Sequence, residues 1–223
     1  MGFSIAIDGP AGAGKSTIAK ALARELEFIY VDTGAMYRAI GLYFSGKNVN
    51  PNNIDGIVSE IGNVHVSIEY KNGEQQVLLN GENVNGLIRT EEAGNMASAC
   101  SAIPEVRSHL MDLQRGLAKS NQVIMDGRDI GTVVLPDAEL KIYLTADVEV
   151  RAKRRYDEHI AKGESADFEQ IKKDIEERDY RDMHREVAPL KKAEDAILLD
   201  TSAMDPEEVK NKIKEFYQER KDA

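Results

Sequence analysis

Nine consecutive residues, Gly9-Pro10-Ala11-Gly12-Ala13-Gly14-Lys15-Ser16-Thr17, put glycines, an amine and two hydroxyls at a spacing that suits a polyphosphate. They fit G-x-x-x-x-G-K-[ST], the phosphate-binding P-loop. Glycines let the backbone turn sharply and approach an anion with no side chain in the way. Lys15 is then placed to reach the β- and γ-phosphates, and the Ser16 hydroxyl to bind Mg2+. A second dense stretch, Asp126-Gly127-Arg128-Asp129, follows the apolar run Val123-Ile124-Met125. In P-loop proteins an Asp at such a strand end helps hold the Mg2+ shell, which predicts that role for Asp126, through water. The alternative for these four residues is a loop ion pair. A third set, Arg178, Arg181 and Arg185, is spaced i, i+3, i+7, and Asp182 shares the stripe. Like charges on one face repel unless anions or carboxylates lie among them. For Arg181 the plainer reading is surface pairing with Glu176, Glu177 and Asp182.

Chemistry of this kind needs a scaffold that points loops at one place. Phe3–Asp8 reads as a buried strand entering the P-loop, and Ile18, Leu22 and Leu26 mark the helix leaving it. The freed N–H groups and positive end of that helix would face the anion. Further apolar strands are predicted at 28–31, 122–125, 140–145 and 196–200, alternating with helices, which implies a parallel sheet covered on both faces. Ligands bind such sheets at the carboxyl ends of the strands, where Asp32, Thr33 and the 126–129 stretch fall. Arg38 lies on the helix that follows, and a solvated helix charge is its plain reading. Residues 45–55, rich in Asn, Gly and Pro, read as a loop. The period then becomes two: Val64–Glu69, the Asn72-Gly73 turn, Gln76–Leu79, Asn80-Gly81 and Val84 predict a small antiparallel meander. It is either decoration or part of a mobile substrate-binding subdomain. Helices are predicted over 90–102 and from Pro104. Arg107 stands off the apolar stripe of the second, free to meet ligand or water. Arg151, Arg154 and Arg155 form a basic run that suits a solvated helix face or a weak nucleic-acid patch. Gly163 is a plausible hinge before a charged helix from 167 to about 185. Asp205-Pro206-Glu207-Glu208 opens a closing helix.

At 223 residues the chain makes one compact core. Its 29 Lys and Arg against 39 Asp and Glu give a net charge of −10, which disfavours bulk nucleic-acid binding and leaves anion recognition to local basic clusters. The lone Cys100 precludes an internal disulfide and fits a reducing cytosol, so a cytoplasmic protein is expected. No signal peptide or membrane-length apolar run is read. The four histidines lack metal-ligand spacing. Asn211-Lys212-Ile213-Lys214 has Lys where a guanine-binding N-K-x-D element has Asp, which argues against a GTPase switch.

Taken in order along nearly the whole chain, several motifs resemble the bacterial cytidylate kinases, the CMP/dCMP kinases of the nucleoside monophosphate kinase group. They are Ile7–Ser16, Asp32–Arg38, Ile88-Arg89-Thr90, Asp126–Val134, Arg178–Asp182, Arg185 and Ala188-Pro189-Leu190, with the meander as a further mark. The resemblance implies an α/β P-loop kinase fold with a five-stranded parallel sheet, helices on both faces, the antiparallel insert and a short lid. Residues 1–34, 105–150 and 169–223 would form the core, 35–104 the monophosphate-binding subdomain with its insert near 62–86, and 151–168 the lid. It also implies ATP and CMP or dCMP as substrates, Mg2+ as cofactor, and a monomer without nucleic-acid or membrane partners. By position, Thr33, Ser98, Arg107 and Asp129 would surround the cytosine, and Arg178 and Asp182 the sugar. Arg38, Arg128 and Arg185 would hold the CMP phosphate. Gly9 to Thr17 with Arg151, Arg154 and Arg155 would bind ATP, and Lys15, Arg128, Arg154 and Arg185 would act on the transferred group. Asp129 would accept from the exocyclic amine of cytosine and repel the carbonyl of uracil. A broader UMP/CMP kinase, other small-molecule kinases such as shikimate kinase, and a non-kinase P-loop NTPase are the competing readings.

Overall fold

A computed structural model describes residues 2–222. Strands β1 (Ser4–Asp8), β2 (Ile29–Asp32), β6 (Val123–Gly127), β7 (Leu140–Thr145) and β8 (Ile197–Asp200) form one sheet in the order β2-β6-β1-β7-β8, and every neighbouring pair is parallel. The side chains alternate between two cores. Ala6, Val31, Val123 and Met125 face one, with α2 (Thr33–Gly46), α4 (Glu91–Cys100) and α5 (Pro104–Ser120). Ile5, Ile7, Ile124, Ile142 and Leu144 face the other, with α1 (Lys15–Leu26) and α8 (Pro206–Lys221). Sandwiching of both faces explains why the strands are continuous apolar runs.

The predicted meander is a separate three-stranded antiparallel sheet, β3 (Val66–Lys71), β4 (Glu74–Leu79) and β5 (Glu82–Asn83). A hairpin of α6 (Val148–Ala161) and α7 (Phe168–His184) stands over the carboxyl ends of the strands, joined through Gly163 in a left-handed conformation. Local signals fixed many boundaries. Asp205 and Glu208 cap α8 reciprocally, each side chain accepting from the other's backbone N–H at 2.9 and 2.8 Å.

One segment departs from expectation. The stretch 45–55 is not wholly loop: α2 continues to Gly46, and a short helix, α3 (Ile54–Glu60), starts at Asn53, whose side chain accepts from Gly56 N at 3.0 Å. Its polar composition masked a capping signal. The turn after Asp129 is one wide helical turn, Ile130–Val134, with a bond from Leu135 N to Ile130 O at 2.7 Å. Among the described residues no helix is long and apolar enough to cross a membrane.

Candidate active site

The sheet's parallel order brings the ends of β1, β2 and β6 side by side, with Asp32 registered opposite Asp126. A cleft of about 1390 Å³ opens above them between the P-loop, α2, α4 and the α6–α7 hairpin. It is lined by P-loop residues from Ala11 to Thr17 and by Thr33, Arg38, Ser98, Arg107, Arg128 and Asp129. Arg154, Arg155, Arg178, Asp182 and Arg185 complete that predicted set on its wall.

The P-loop itself is shaped by its neighbours. A Cβ on Gly9 would lie 1.9 Å from Leu144 O, so only glycine lets the loop leave β1 beside β7. Gly12 has φ +74°, and a Cβ there would meet the Cβ of Arg151 at 3.2 Å. Gly9 and Pro10 therefore act as scaffold, and the Pro10 carbonyl accepts from Lys15 Nζ at 2.7 Å. Lys15 is buried; burial, then the Arg128 guanidinium, depress its pKa. Ser16 Oγ donates to Asp126 Oδ2 at 2.8 Å, and Tyr30 donates to Asp126 Oδ1 at 2.9 Å. Burial raises the pKa of Asp126. A buried carboxylate and an exposed hydroxyl beside a phosphate loop are the oxygen donors a hard divalent ion takes.

Arg151 corrects one expectation. It does not line the cleft; it lies buried beneath the P-loop, donating to Ala11 O at 2.7 Å, Ala146 O at 2.8 Å and Asp179 Oδ2 at 2.5 Å. Asp179 accepts from Ala11 N at 2.9 Å through its other oxygen. The pair thus grips both main-chain groups of one P-loop residue. The basic run alone could not show that the first arginine of α6 faces inward while its neighbours face the cleft. Arg154 lies at the far end, donating to Thr201 Oγ1 and Thr201 O at 3.1 and 2.6 Å, beside Met204 and Pro206. Among the described residues Arg155 has no ion-pair partner.

On the other side of the cleft Asp129 is buried between two arginines. Arg107 donates to its Oδ2, and Arg185 lies 3.5 Å from its Oδ1. Burial raises the carboxyl's pKa against the pull of Arg107 and Arg185. Arg107 is itself fixed by Ser101 O at 3.1 Å and by the Tyr37 ring, 5.7 Å from its guanidinium carbon. It is therefore not the free arginine its stripe position suggested. Arg185 stands one residue beyond α7 in extended backbone and donates to Ser101 Oγ at 3.0 Å. Leaving the helix turns it toward Asp129, off the stripe of Arg178 and the exposed Arg181. Thr33 donates to Asp126 O at 2.7 Å. Arg128 donates to Asp182 Oδ2 at 2.8 Å.

Arg178 is half-buried, and desolvation, then Arg128, push its pKa down to about 10, with Arg38 and Arg155 adding to the repulsion. Among the described residues, the buried Nε atoms of Arg38 and Arg178 have no hydrogen-bond partner. Crowded guanidiniums with unmet donors form a strong anion trap.

Two site residues escaped sequence reasoning. Asp8, the last residue of β1, accepts from Ile130 N and Gly131 N, each at 2.8 Å, and so holds the turn that follows Asp129. Burial pushes its pKa up to about 6. Ser101 serves both Arg107 and Arg185. Asp8 could have been noticed as a carboxylate ending a buried strand; Ser101 gives no local signal.

The family model described as cytidylate kinase matches residues 5–219. The chain is 52% identical over 215 residues to the cytidylate kinase of Caldicellulosiruptor saccharolyticus, covering 96% of this chain and 95% of that one. It is 50% identical over 216 residues to that of a Geobacillus species, covering 97% and 96%. Among solved structures, an uncharacterized protein from Eubacterium ventriosum superposes with a TM-score of 0.54 at 12% identity, covering 96% of this chain and 97% of that one, which is a likeness of fold.

Proposed function

The chain belongs to the cytidylate kinase family, and from that premise we propose how its own residues divide the transfer of the γ-phosphoryl group of ATP to CMP or dCMP. The observation that carries the reading is the cluster of Lys15, Arg38, Arg128, Arg155 and Arg178, whose mutual repulsion is offset in part by Asp32 and Asp182 and would be relieved further by a polyanion between them.

Lys15 and the P-loop N–H groups from Ala13 to Thr17 hold the ATP phosphates, with the nucleotide's base toward Arg154, Met204 and Pro206. Arg38 and Arg128 hold the CMP phosphate, and Arg185 closes the same side. Arg178 and Asp182, one helical turn apart, hold the sugar. Asp129, fixed by Arg107, reads cytosine, with Thr33 and Ser98 beside the base. Arg155 is the lid arginine that meets the transferred group, because Arg154 is tied to Thr201 and Arg151 to the P-loop.

Ser16 and, through water, Asp126 would hold Mg2+, which would supply positive charge to neutralise the ATP phosphates. The nucleophile is a phosphate oxygen of CMP, already ionised at neutral pH, so no general base is required. A bond forms from that oxygen to the γ-phosphorus as the bond to ADP breaks. The residues act by holding two anions in line and by matching the charge of the moving phosphoryl group. Closing the lid, within residues 151–168 at the tip of the α6–α7 hairpin, excludes water that would otherwise hydrolyse ATP. The reading takes the enzyme as a monomer, as the resemblance implies.

A coupled ADP-release assay with ATP and Mg2+, run in parallel against CMP, dCMP, UMP, AMP and GMP, tests this. Release with CMP and dCMP is the expected result. Equal rates with UMP would make the enzyme a broader pyrimidine kinase, and ATP consumption without an acceptor would make it an NTPase.

A further inference from the structure

β2 is the edge strand of the parallel sheet, paired on one side with β6. An edge strand leaves backbone groups on its open side that need partners. The antiparallel insert supplies them with side chains. Tyr70 donates its hydroxyl to Tyr30 O at 3.1 Å. Gln75 accepts from Asp32 N at 2.8 Å and donates to Asp32 O at 3.3 Å. One primary amide thus satisfies both main-chain groups of one residue, as a neighbouring strand would. Tyr70 and Gln75 are direct partners across the β3–β4 ladder, so the two contacts form one unit. Gln75 is held in turn by Asn85, whose side-chain amide donates to its carbonyl at 2.9 Å.

Asp32 is the residue on which the next element depends. Its Oδ1 caps α2 by accepting from Ala35 N at 2.8 Å, and its Oδ2 pairs with Arg38 at 3.1 Å. Arg38 otherwise faces repulsion from Arg178, and its buried Nε has no partner among the described residues. The direction of that guanidinium therefore rests on Asp32, and the main chain of Asp32 rests on Gln75. We infer that Gln75 is a positioning residue of the monophosphate site, and that the insert straps the β2–α2 junction so that Arg38 is pre-aimed at the phosphate of CMP. This rests on the reading of Arg38 as a phosphate ligand.

The test is a double-mutant cycle read as separate KM values for CMP and ATP. Gln75→Ala is expected to raise the KM for CMP by roughly 3- to 10-fold, the range that one or two net hydrogen bonds represent. The KM for ATP should stay within about twofold of the original, since Lys15 and the P-loop are untouched. Arg38→Ala should raise the KM for CMP further, and Gln75→Ala should then add nothing, because both act through one guanidinium. Gln76→Ala is the control for general loosening of the insert. Its side-chain oxygen accepts from Asn83 at 2.8 Å and from the Asn85 amide at 3.4 Å, and the shorter bond from Asn85 to Gln75 O at 2.9 Å does not depend on it, so its KM values should not move. If Arg38→Ala leaves the KM for CMP unchanged, the phosphate reading of Arg38 fails. If Arg38→Ala raises it while Gln75→Ala has no effect, adds in full, or is matched by Gln76→Ala, the positioning role is overturned.

Discussion

Replacing Asp129 by Asn removes one charge at constant volume from the residue that would read the base. Asp129 is 4% exposed, and its carboxylate lies between Arg107 and Arg185, so it cannot turn away from the cleft without breaking an ion pair. In the native protein both oxygens accept; the amine of cytosine can donate to one, whereas the carbonyl of uracil meets a like charge. The amide of Asn offers one acceptor and one donor, and it can present either end. The penalty of a buried polar group facing the wrong partner, ~1–3 kcal/mol, is therefore removed from the uracil side. At about 1.4 kcal/mol per tenfold, the ratio of kcat/KM for CMP over UMP should fall by between about 5- and 150-fold. The two arginines also lose their counter-charge, so the variant will be less stable. Competition between CMP and UMP in one tube is the right assay, since a loss of active enzyme cancels from the ratio. A folded Asp129→Asn enzyme whose ratio stays within about twofold of the original would refute the reasoning.

Lys15→Ala should lower kcat by roughly 10²–10³-fold or more, as loss of a charge at the developing transition state does. Its melting midpoint should not fall, because Lys15 is a buried cation opposed by Arg128; a cooperative loss of structure would contradict this. Arg151→Ala and Arg155→Ala should separate cleanly. The first leaves Asp179 buried and unpaired and costs ~3–5 kcal/mol of stability in denaturant titration. The second leaves stability unchanged and lowers kcat; the reverse pattern would restore Arg151 to the lid. Asp8 has a folded pKa of about 6 against an ordinary value of 3.8, so folding favours its protonated form between those values. Its stabilising contribution is full below the unfolded pKa and declines as pH rises to the folded one. Relative to Asp8→Asn, stability should therefore fall by about 3 kcal/mol from about pH 4 to about pH 7. Parallel denaturant titrations of both proteins across that window check the sign, and a rise would show the shift to be in the other direction.

Sequence by itself determined what depends on neighbours along the chain. The P-loop, the buried strands, the capped start of α8 and the period-two insert are set by spacing, propensity and local hydrogen bonds, and each was legible. So was the place of Asp32, Thr33 and the 126–129 stretch beside the cleft, because strand ends in a parallel sheet meet at one edge. Only the tertiary structure decided which charged residues face one another. Arg151 and Arg155 belong to one basic run, yet one is buried under Ala11 and the other lines the cleft. Asp179 meets a backbone N–H 168 residues away, and Asp8 meets two more than 120 residues away. Gln75, an unremarkable residue in a hairpin, reaches the open edge of β2. These partners are brought together by the strand order β2-β6-β1-β7-β8 and by the packing of the α6–α7 hairpin upon it. An ion pair's worth depends on distance and burial, and neither exists until the chain has folded.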